Sequence, residues 1–347
     1  MRKELGMFIA LLGMCAVIAI SNENFYREAN VLNTTRQIAM LGIFSIGVSF
    51  VIITGGIDLS IGSIIGLSGV IIARISAPVT ESAISGAGYP IWLGISIAML
   101  VALLIGLIQG LIITGLGLQP FIVTLGGMLF IRGVSQTITA GGNISFGTSE
   151  FTSLADEAIH IGSFFKIPYT VLMFAGVAIV STYLLHFTVF GRHIYAIGGN
   201  REAAKYSGVP VKRVETLTYV LSAGLAGLAG IPYAAYIGQM SHTVGEAYEL
   251  YAITASVLGG CSLRGGEGTV IGVIIGSAVM RIMDNGINMF QVPYTDALGN
   301  RQIWRLDENW RNMINGGVIL GAVILDQVTH ILRDRRRRLS APFRKSE

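Results

Sequence analysis

The sequence predicts an all-α fold, a polytopic transmembrane helical bundle of about ten spans with broken helices. Three observations favour this class. Of the 347 residues, 52% are hydrophobic and 13% are charged, whereas a soluble domain averages about 25% charged residues. Apolar runs of membrane-spanning length recur along the chain. The 45 glycines suit close helix packing in a membrane, and some of them interrupt the apolar runs.

The first half of the chain contains five predicted spans. They are Leu5–Ile20, Gln37–Ile53, Ile61–Ala77, Ile91–Thr114 and Phe121–Ile138. The first run could be a cleaved signal peptide, but a multi-span remainder favours a retained span. The polar segment Ser21–Arg36 is predicted to be an external connection.

The second half predicts five more spans, one of them irregular. The regular ones are Pro168–Phe187, Val214–Ile237, Thr269–Phe290 and Met313–Leu332. Tyr251–Gly260 is too short to cross regularly, and we expect it to form a broken helix with the glycine-rich Arg264–Gly268 segment.

Charge distribution predicts the orientation. Segments assigned to the inside carry fifteen Lys and Arg residues, and segments assigned to the outside carry seven. The positive-inside rule then places both termini in the cytoplasm of a multi-pass protein of the inner or plasma membrane. The prediction is one transmembrane domain over 1–347, with a cytoplasmic loop at about 188–213. The basic tail at 333–347 directly follows an apolar span, which favours a membrane anchor and not nucleic-acid binding.

The cytoplasmic loop contains a predicted short helix. Asn200 can cap a helix over Arg201–Tyr206, and Gly208 and Pro210 can end it. One interpretation is an ordered loop whose charges only fix the topology. The other is a docking element for a cytoplasmic partner.

The loop also carries a longer pattern, G-G-N-x-E-A-A-x-x-x-G-V-x-V-x-R-V, from Gly198 to Val214. This pattern resembles the coupling loop of ribose-type (simple-sugar) ATP-binding cassette (ABC) importer permeases, which are related to branched-chain amino acid permeases. Segments Gly55–Ser63, Gln119–Gly126 and Leu258–Gly268 resemble the same family, and the resemblance covers about residues 35 to 330.

The resemblance implies an ABC importer permease architecture and a function. The chain would form the transmembrane pathway for a small sugar or sugar-like solute delivered by an external binding protein. A cytoplasmic ABC ATPase would dock on the loop, with Asn200, Glu202, Ala203, Ala204 and Gly208 as coupling residues. A second permease subunit, identical or homologous, would complete the pathway in the lipid membrane.

Motifs for catalysis are missing from the sequence. No lysine follows a glycine, so there is no phosphate-binding P-loop, and neither H-E-x-x-H nor G-x-S-x-G occurs. Cys15 and Cys261 lie far apart and suit packing better than a disulfide or a metal site. We therefore expect no enzyme activity, no metal and no cofactor, and ATP hydrolysis by a separate subunit.

The glycine-rich interruptions of the predicted spans indicate which residues line the transport pathway. Backbone freed at membrane depth must line protein or water, and charged or polar groups inside spans are functional candidates. The candidate pathway or gate residues are Gly55, Gly56, Asp58, Ser60, Arg132, Asn285 and Asn288.

Structural interpretations of the charged candidates stay open. Asp58 can cap the third span, Arg132 can pair internally, and Arg281 can pair with Asp284.

Two other functions stay open at this point. The same architecture could import branched-chain amino acids, which would need partners for a zwitterion. A stand-alone secondary transporter would usually show clustered carboxylates at the membrane midplane. The spans here contain few charges, which favours a neutral polar solute.

Overall fold

The structure is a computed structural model that describes residues 2–80, 84–161, 165–295, 301–305, 310–311, 313–324 and 327–328. It divides into two compact units, Met1–Phe290 and Gln291–Glu347. The basic tail predicted at 333–347 lies outside the described residues, and the prediction of one domain stays a prediction.

Helices dominate the first unit, as the sequence predicts. They are α1 (Arg2–Ser21), α2 (Glu28–Ile53), α3 (Ile61–Ser76), α4 (Ile91–Leu116), α5 (Pro120–Ile138), α6 (Glu150–Asp156), α7 (Tyr169–Phe187), α8 (Val189–Gly199), α9 (Arg201–Tyr206), α10 (Val211–Ile237), α11 (Tyr248–Leu258) and α12 (Val270–Met289). Short antiparallel pairs join β1 (Ile144–Ser145) to β4 (Gln239–Met240), and β2 (Ala158–Ile161) to β3 (Phe165–Pro168).

The second unit contains a hairpin and an apolar helix. Strand β5 (Gln291–Thr295) pairs antiparallel with β6 (Arg301–Arg305). The apolar helix α13 covers Met313–Ile324.

The number of spans is only partly supported. Seven helices among the described residues are long and apolar enough to cross a membrane, namely α1, α2, α4, α5, α7, α10 and α12. The apolar helices α3 and α13 are shorter, and α11 has only 11 residues. The chain is therefore a multi-pass membrane protein, whereas a count of ten is not confirmed by helix length.

The central helix of the first unit is α2. Every side chain from Ala39 to Ile53 is buried, and α2 packs against α7, α10, α11 and α12. The sequence prediction for its start was wrong, because α2 begins at Glu28 and includes most of the polar segment assigned to an external connection. Asn30 explains part of this extension, since its side chain bonds to Asn285 on α12.

Glycines bring two segments of this unit into close contact. A β-carbon at Gly62, Gly66 or Gly69 of α3 would lie 2.0–2.4 Å from atoms of the 240–249 segment. This segment is non-helical from Met240 to Ala247 and then continues as α11. The irregular span predicted at Tyr251–Gly260 is therefore broken, as the sequence predicts. Non-helical chain precedes its helix α11 as well as following it.

Candidate functional site

The first glycine break separates α2 from α3. Gly55 adopts a left-handed conformation with φ +85°, which only glycine adopts without strain. The Gly56 amide donates to Val51 O at 3.0 Å. A β-carbon at Gly56 would lie 2.5 Å from the Tyr219 hydroxyl. The local geometry therefore requires glycine at both positions. Gly55 has a torsion angle that other residues avoid, and Gly56 has no room for a side chain beside Tyr219.

Asp58 is the centre of a buried polar cluster in this break. Its side chain has no solvent exposure. Oδ1 accepts hydrogen bonds from Ser60 N at 2.9 Å and Ser60 Oγ at 2.7 Å, and Oδ2 accepts from Ser222 Oγ of α10 at 2.8 Å. Ser60 Oγ also lies 3.0 Å from Gln109 Oε1 of α4. The cluster therefore fastens the break to α4 and α10.

The interpretation of Asp58 as a cap of the third span needs correction. The N-cap residue of α3 is Ser60, whose own side chain makes no capping hydrogen bond. Asp58 lies two residues earlier and accepts hydrogen bonds from Ser60. It therefore orders the segment that leads into α3. Its link to Ser222 spans 164 residues of sequence, which a capping carboxylate would not need.

A cavity of about 310 Å³ adjoins the first break. Gly55 and Gly56 line one side, and the α4–α5 turn at Gly117–Pro120 lines another. Arg201, Glu215 and Tyr219 complete the wall. The cavity therefore lies between the break and the loop that carries α9.

The predicted helix of the coupling loop is present as α9. The Asn200 side chain accepts a hydrogen bond from Ala203 N at 2.9 Å, and Gly208, with φ +83°, follows its end. Glu202, Ala203 and Lys205 are exposed and Ala204 is buried. The exposed face is apolar as well as charged, since Tyr206 is 86% exposed.

The loop is fastened to the bundle at α10. Arg201 forms a two-point ion pair with Glu215, with Nε–Oε1 at 2.6 Å and Nη2–Oε2 at 2.9 Å. This hydrogen bonding raises the pKa of Arg201 above its ordinary value. The α9 helix therefore begins at a fixed contact with the first turns of α10.

The second glycine break connects α11 to α12. Gly260, Gly265 and Gly266 all have positive φ, and the Thr269 hydroxyl caps α12 by accepting from Gly272 N at 3.0 Å. The Gly266 amide donates to Ile53 O, the last residue of α2, at 2.8 Å. The two breaks are therefore in direct backbone contact, although more than 200 residues separate them in sequence.

Arg132 lies away from the Asp58 cluster, on α5. Its guanidinium donates to His242 O at 2.9 Å and to Gly245 O at 3.5 Å. Both carbonyls belong to the extended segment that packs on the glycines of α3. Arg132 therefore holds this segment through backbone oxygens, whereas the sequence suggested internal pairing without indicating a partner.

The structure does not bring Asn285 and Asn288 to the first break. The Asn285 amide exchanges hydrogen bonds with Asn30 at 2.7 and 3.2 Å, and Asn288 is exposed. The predicted pairing of Arg281 with Asp284 is present at 3.4 Å, and Arg281 also donates to the Tyr233 hydroxyl at 3.1 Å.

Three functional candidates on α10 were missed from the sequence. Glu215, Tyr219 and Ser222 follow one another at spacings of four and three residues, which places them on one helix face. That face contacts the cavity and the Asp58 cluster. The spacing was visible in the sequence, but Lys212, Arg213, Thr216 and Thr218 in the same part of α10 obscure it.

Comparisons with known proteins agree with this architecture. Residues 30–323 match a family model described as branched-chain amino acid transport system / permease component. The chain is 37% identical to the ribose import permease protein of Bacillus subtilis, over 94% of this chain and 93% of that protein. It is 34% identical to the galactose/methyl galactoside import permease protein of Escherichia coli K12, over 94% and 95% of the two chains.

A third relative extends the range of named solutes. The chain is 30% identical to the xylose transport system permease protein of Haemophilus influenzae, over 92% of this chain and 95% of that protein. No solved structure matches the chain. The match to the family model and the coverage of these relatives show that the chain belongs to the permease family of ABC import systems.

Proposed function

We propose that this chain forms the transmembrane pathway of an ABC importer for a small neutral sugar. The observation that carries the proposal is the exposed, capped α9 helix, whose Arg201 is fixed to Glu215 at the edge of the cavity beside the first break. Relatives named for ribose, galactose and xylose transport support the class of solute.

The proposed mechanism assigns no bond-making chemistry to this chain. An external binding protein delivers the sugar, and ABC ATPase subunits bind α9 from the cytoplasm and supply the energy. Glu202 and Lys205, exposed on opposite ends of α9, are proposed to contact the ATPase with Asn200, Ala203, Ala204 and Gly208. A second permease subunit, identical or homologous, completes the pathway.

The proposed topology has ten crossings. The seven long helices supply seven, and α3, α13 and the segment that ends in α11 supply the other three. Both termini are then cytoplasmic, in agreement with the asymmetry of Lys and Arg residues. This orientation places α9 and both glycine breaks on the cytoplasmic side.

The first break is proposed to be the moving part of the pathway. Gly55 and Gly56 line the cavity, and the adjoining Asp58 cluster holds Ser60 and Ser222 in one arrangement. Glycines change their backbone torsions at little cost, so the break can switch between two packed states while α2 and α3 stay helical.

An uptake assay tests the proposal. The chain is expressed with an ABC ATPase and a sugar-binding protein from the same organism, in a strain that lacks endogenous uptake of pentoses, galactose and leucine. Labelled D-ribose, D-galactose, D-xylose and L-leucine are compared. We expect one of the sugars to accumulate, and accumulation to stop when the nucleotide-binding lysine of the ATPase is replaced.

Two results would overturn the proposal in different ways. Uptake of leucine without any sugar would assign the amino acid class. Uptake that persists with the inactive ATPase and is abolished by a protonophore would assign a secondary transporter.

A further inference from the structure

Three backbone segments from distant parts of the chain meet at a single point. Gly266 N of the second break donates to Ile53 O of α2 at 2.8 Å. A β-carbon at Gly198, near the end of α8, would lie 1.9 Å from Ile53 O and 2.3 Å from Gly266 N. Gly198 therefore packs directly on this hydrogen bond. We call Ile53, Gly198 and Gly266 the glycine junction.

The junction also reaches the first break. A β-carbon at Gly265 would lie 3.0 Å from Gly198 Cα and 3.0 Å from Gly55 N. Gly265 and Gly55 have φ values of +85° each, so both are in the left-handed region that glycine adopts readily. Gly198 at the end of α8 thus contacts the last residue of α2 and the second break through backbone atoms.

A side-chain bond fixes α8 to the second break one turn before Gly198. The Tyr195 hydroxyl donates to Gly268 O at 2.7 Å. Burial, together with the nearby Cys261, raises the pKa of Tyr195 to about 12. The phenol therefore remains protonated and able to donate at every physiological pH.

We infer that Gly198 and Tyr195 are positioning residues through which displacement of the coupling loop reaches both glycine breaks together. The inference rests on the proposed function, since it assumes that an ATPase moves α9. Only Asn200 separates α8 from α9. A displacement of α9 therefore also displaces the end of α8. Close-packed backbone atoms transmit a displacement to their neighbours, whereas a flexible side chain would change rotamer instead. The left-handed glycines of the breaks provide the hinges.

Two neighbouring glycines of α8 supply a matched test. A β-carbon at Gly198 would collide with two backbone atoms, whereas nothing lies within 4 Å of a β-carbon at Gly199. Gly198→Ala and Gly199→Ala therefore make the same chemical change in the same helix, with the same gain in helix propensity. Only the first one disturbs the junction.

The measurement uses the complete transporter, with its ATPase and sugar-loaded binding protein, in liposomes. We measure the ATPase recovered with the permease, the stimulation of hydrolysis by the loaded binding protein, and sugar transported per ATP hydrolysed. Gly199→Ala is expected to match the wild type. Gly198→Ala is expected to retain the ATPase but to lose about tenfold in sugar per ATP, within the range of coupling between protein sites.

Tyr195→Phe is the second variant, because it removes one hydrogen bond and leaves the ring. A reduction of about fivefold in sugar per ATP is expected from the net worth of one hydrogen bond. A purely structural role would lower the amount of assembled transporter without changing this ratio.

Equal sugar per ATP in Gly198→Ala and Gly199→Ala, at equal assembly, would overturn the inference. If Gly198→Ala does not assemble, an unchanged ratio in Tyr195→Phe overturns it instead. Failure of the proposed function is distinguishable, since in that case the wild-type transporter itself shows no ATP-dependent sugar uptake.

Discussion

Replacing Asp58 by asparagine separates a role in transport from a role in folding. The carboxylate is fully buried and accepts three hydrogen bonds, two from Ser60 and one from Ser222. Asparagine has the same shape and keeps one oxygen for Ser60. Its amide group can donate to Ser222 Oγ once that hydroxyl turns away. The substitution therefore removes the charge and preserves the connections.

The expected effect on folding is small. Hydrogen bonds to a charged group contribute about 1.5–3 kcal/mol and neutral ones about 0.5–1.5 kcal/mol, so three bonds would weaken by roughly 3 kcal/mol in total. A neutral amide costs less to bury than a carboxylate, which offsets most of this loss. A net destabilisation of about 1 kcal/mol would lower Tm by only about 1–2 °C in a protein of this size.

The effect on transport is expected to be larger if the break moves. In that case the carboxylate must release and regain its hydrogen bond with Ser222, or contact a sugar hydroxyl. Uptake by Asp58→Asn should then fall at least about tenfold at equal membrane abundance, since coupling energies between sites reach about 1–3 kcal/mol. The assay combines initial uptake of the labelled sugar with Tm of the purified complex.

Ser222→Ala is the matched control. It removes the hydrogen bond between Asp58 and α10 but leaves the charge. If Asp58 only fastens α3 to α10, Ser222→Ala should impair uptake at least as much as Asp58→Asn, and each loss should follow abundance. Full uptake by Asp58→Asn would refute a role for the charge in the pathway.

Three further predictions concern the loop, the topology and a buried ion pair. Glu202→Arg should leave the permease inserted but reduce recovery of the ATPase and ATP-driven uptake, because the exposed α9 surface is reversed in charge; normal values of both would contradict the coupling role. In a chain without its native cysteines, Lys205→Cys should react with an impermeant thiol reagent only from the cytoplasmic side and Thr148→Cys only from outside; the opposite pattern would invert the topology. Tyr233→Phe should lower the free energy of unfolding by about 1.5–3 kcal/mol because Arg281 loses its hydroxyl partner; an unchanged Tm would mean that Asp284 alone is sufficient for Arg281.

Local signals in the sequence predicted several features well. The α9 helix and its Asn200 cap depend on residues within one turn, and Gly208 ends the helix by its own torsion angle. The Arg281–Asp284 pair depends only on helical spacing. Both glycine breaks were predicted from local residues, Gly55 and Gly56 beside Asp58 in one case and the glycine-rich Arg264–Gly268 segment in the other, because backbone freed from a helix in the membrane must contact protein or water.

Features that depend on distant partners were not predicted. The partner of Asp58 on α10 is a serine 164 residues away, and the partners of Arg132 are backbone carbonyls, which leave no trace in the residue types. The α8 helix was also missed, because its glycines at 191, 198 and 199 disfavour a helix. Its stability comes from burial of Ile194 and Ile197, which the sequence of the loop alone does not reveal.

The distribution of charge in the bundle favours a neutral solute over an amino acid. A zwitterion crossing the membrane needs both a cationic and an anionic partner. Among the described residues of α5 and α12, the two guanidinium groups are already engaged, Arg132 by two carbonyls and Arg281 by Asp284 and Tyr233. Glu249 has an Oε2 atom with no hydrogen-bond partner, but that atom packs against Gly62. A sugar needs only hydroxyl, amide and carbonyl partners, and the wall of the cavity between the first break and α9 includes Thr54 and Gln119. The charged residues of that wall, Arg201 and Glu215, are engaged with one another.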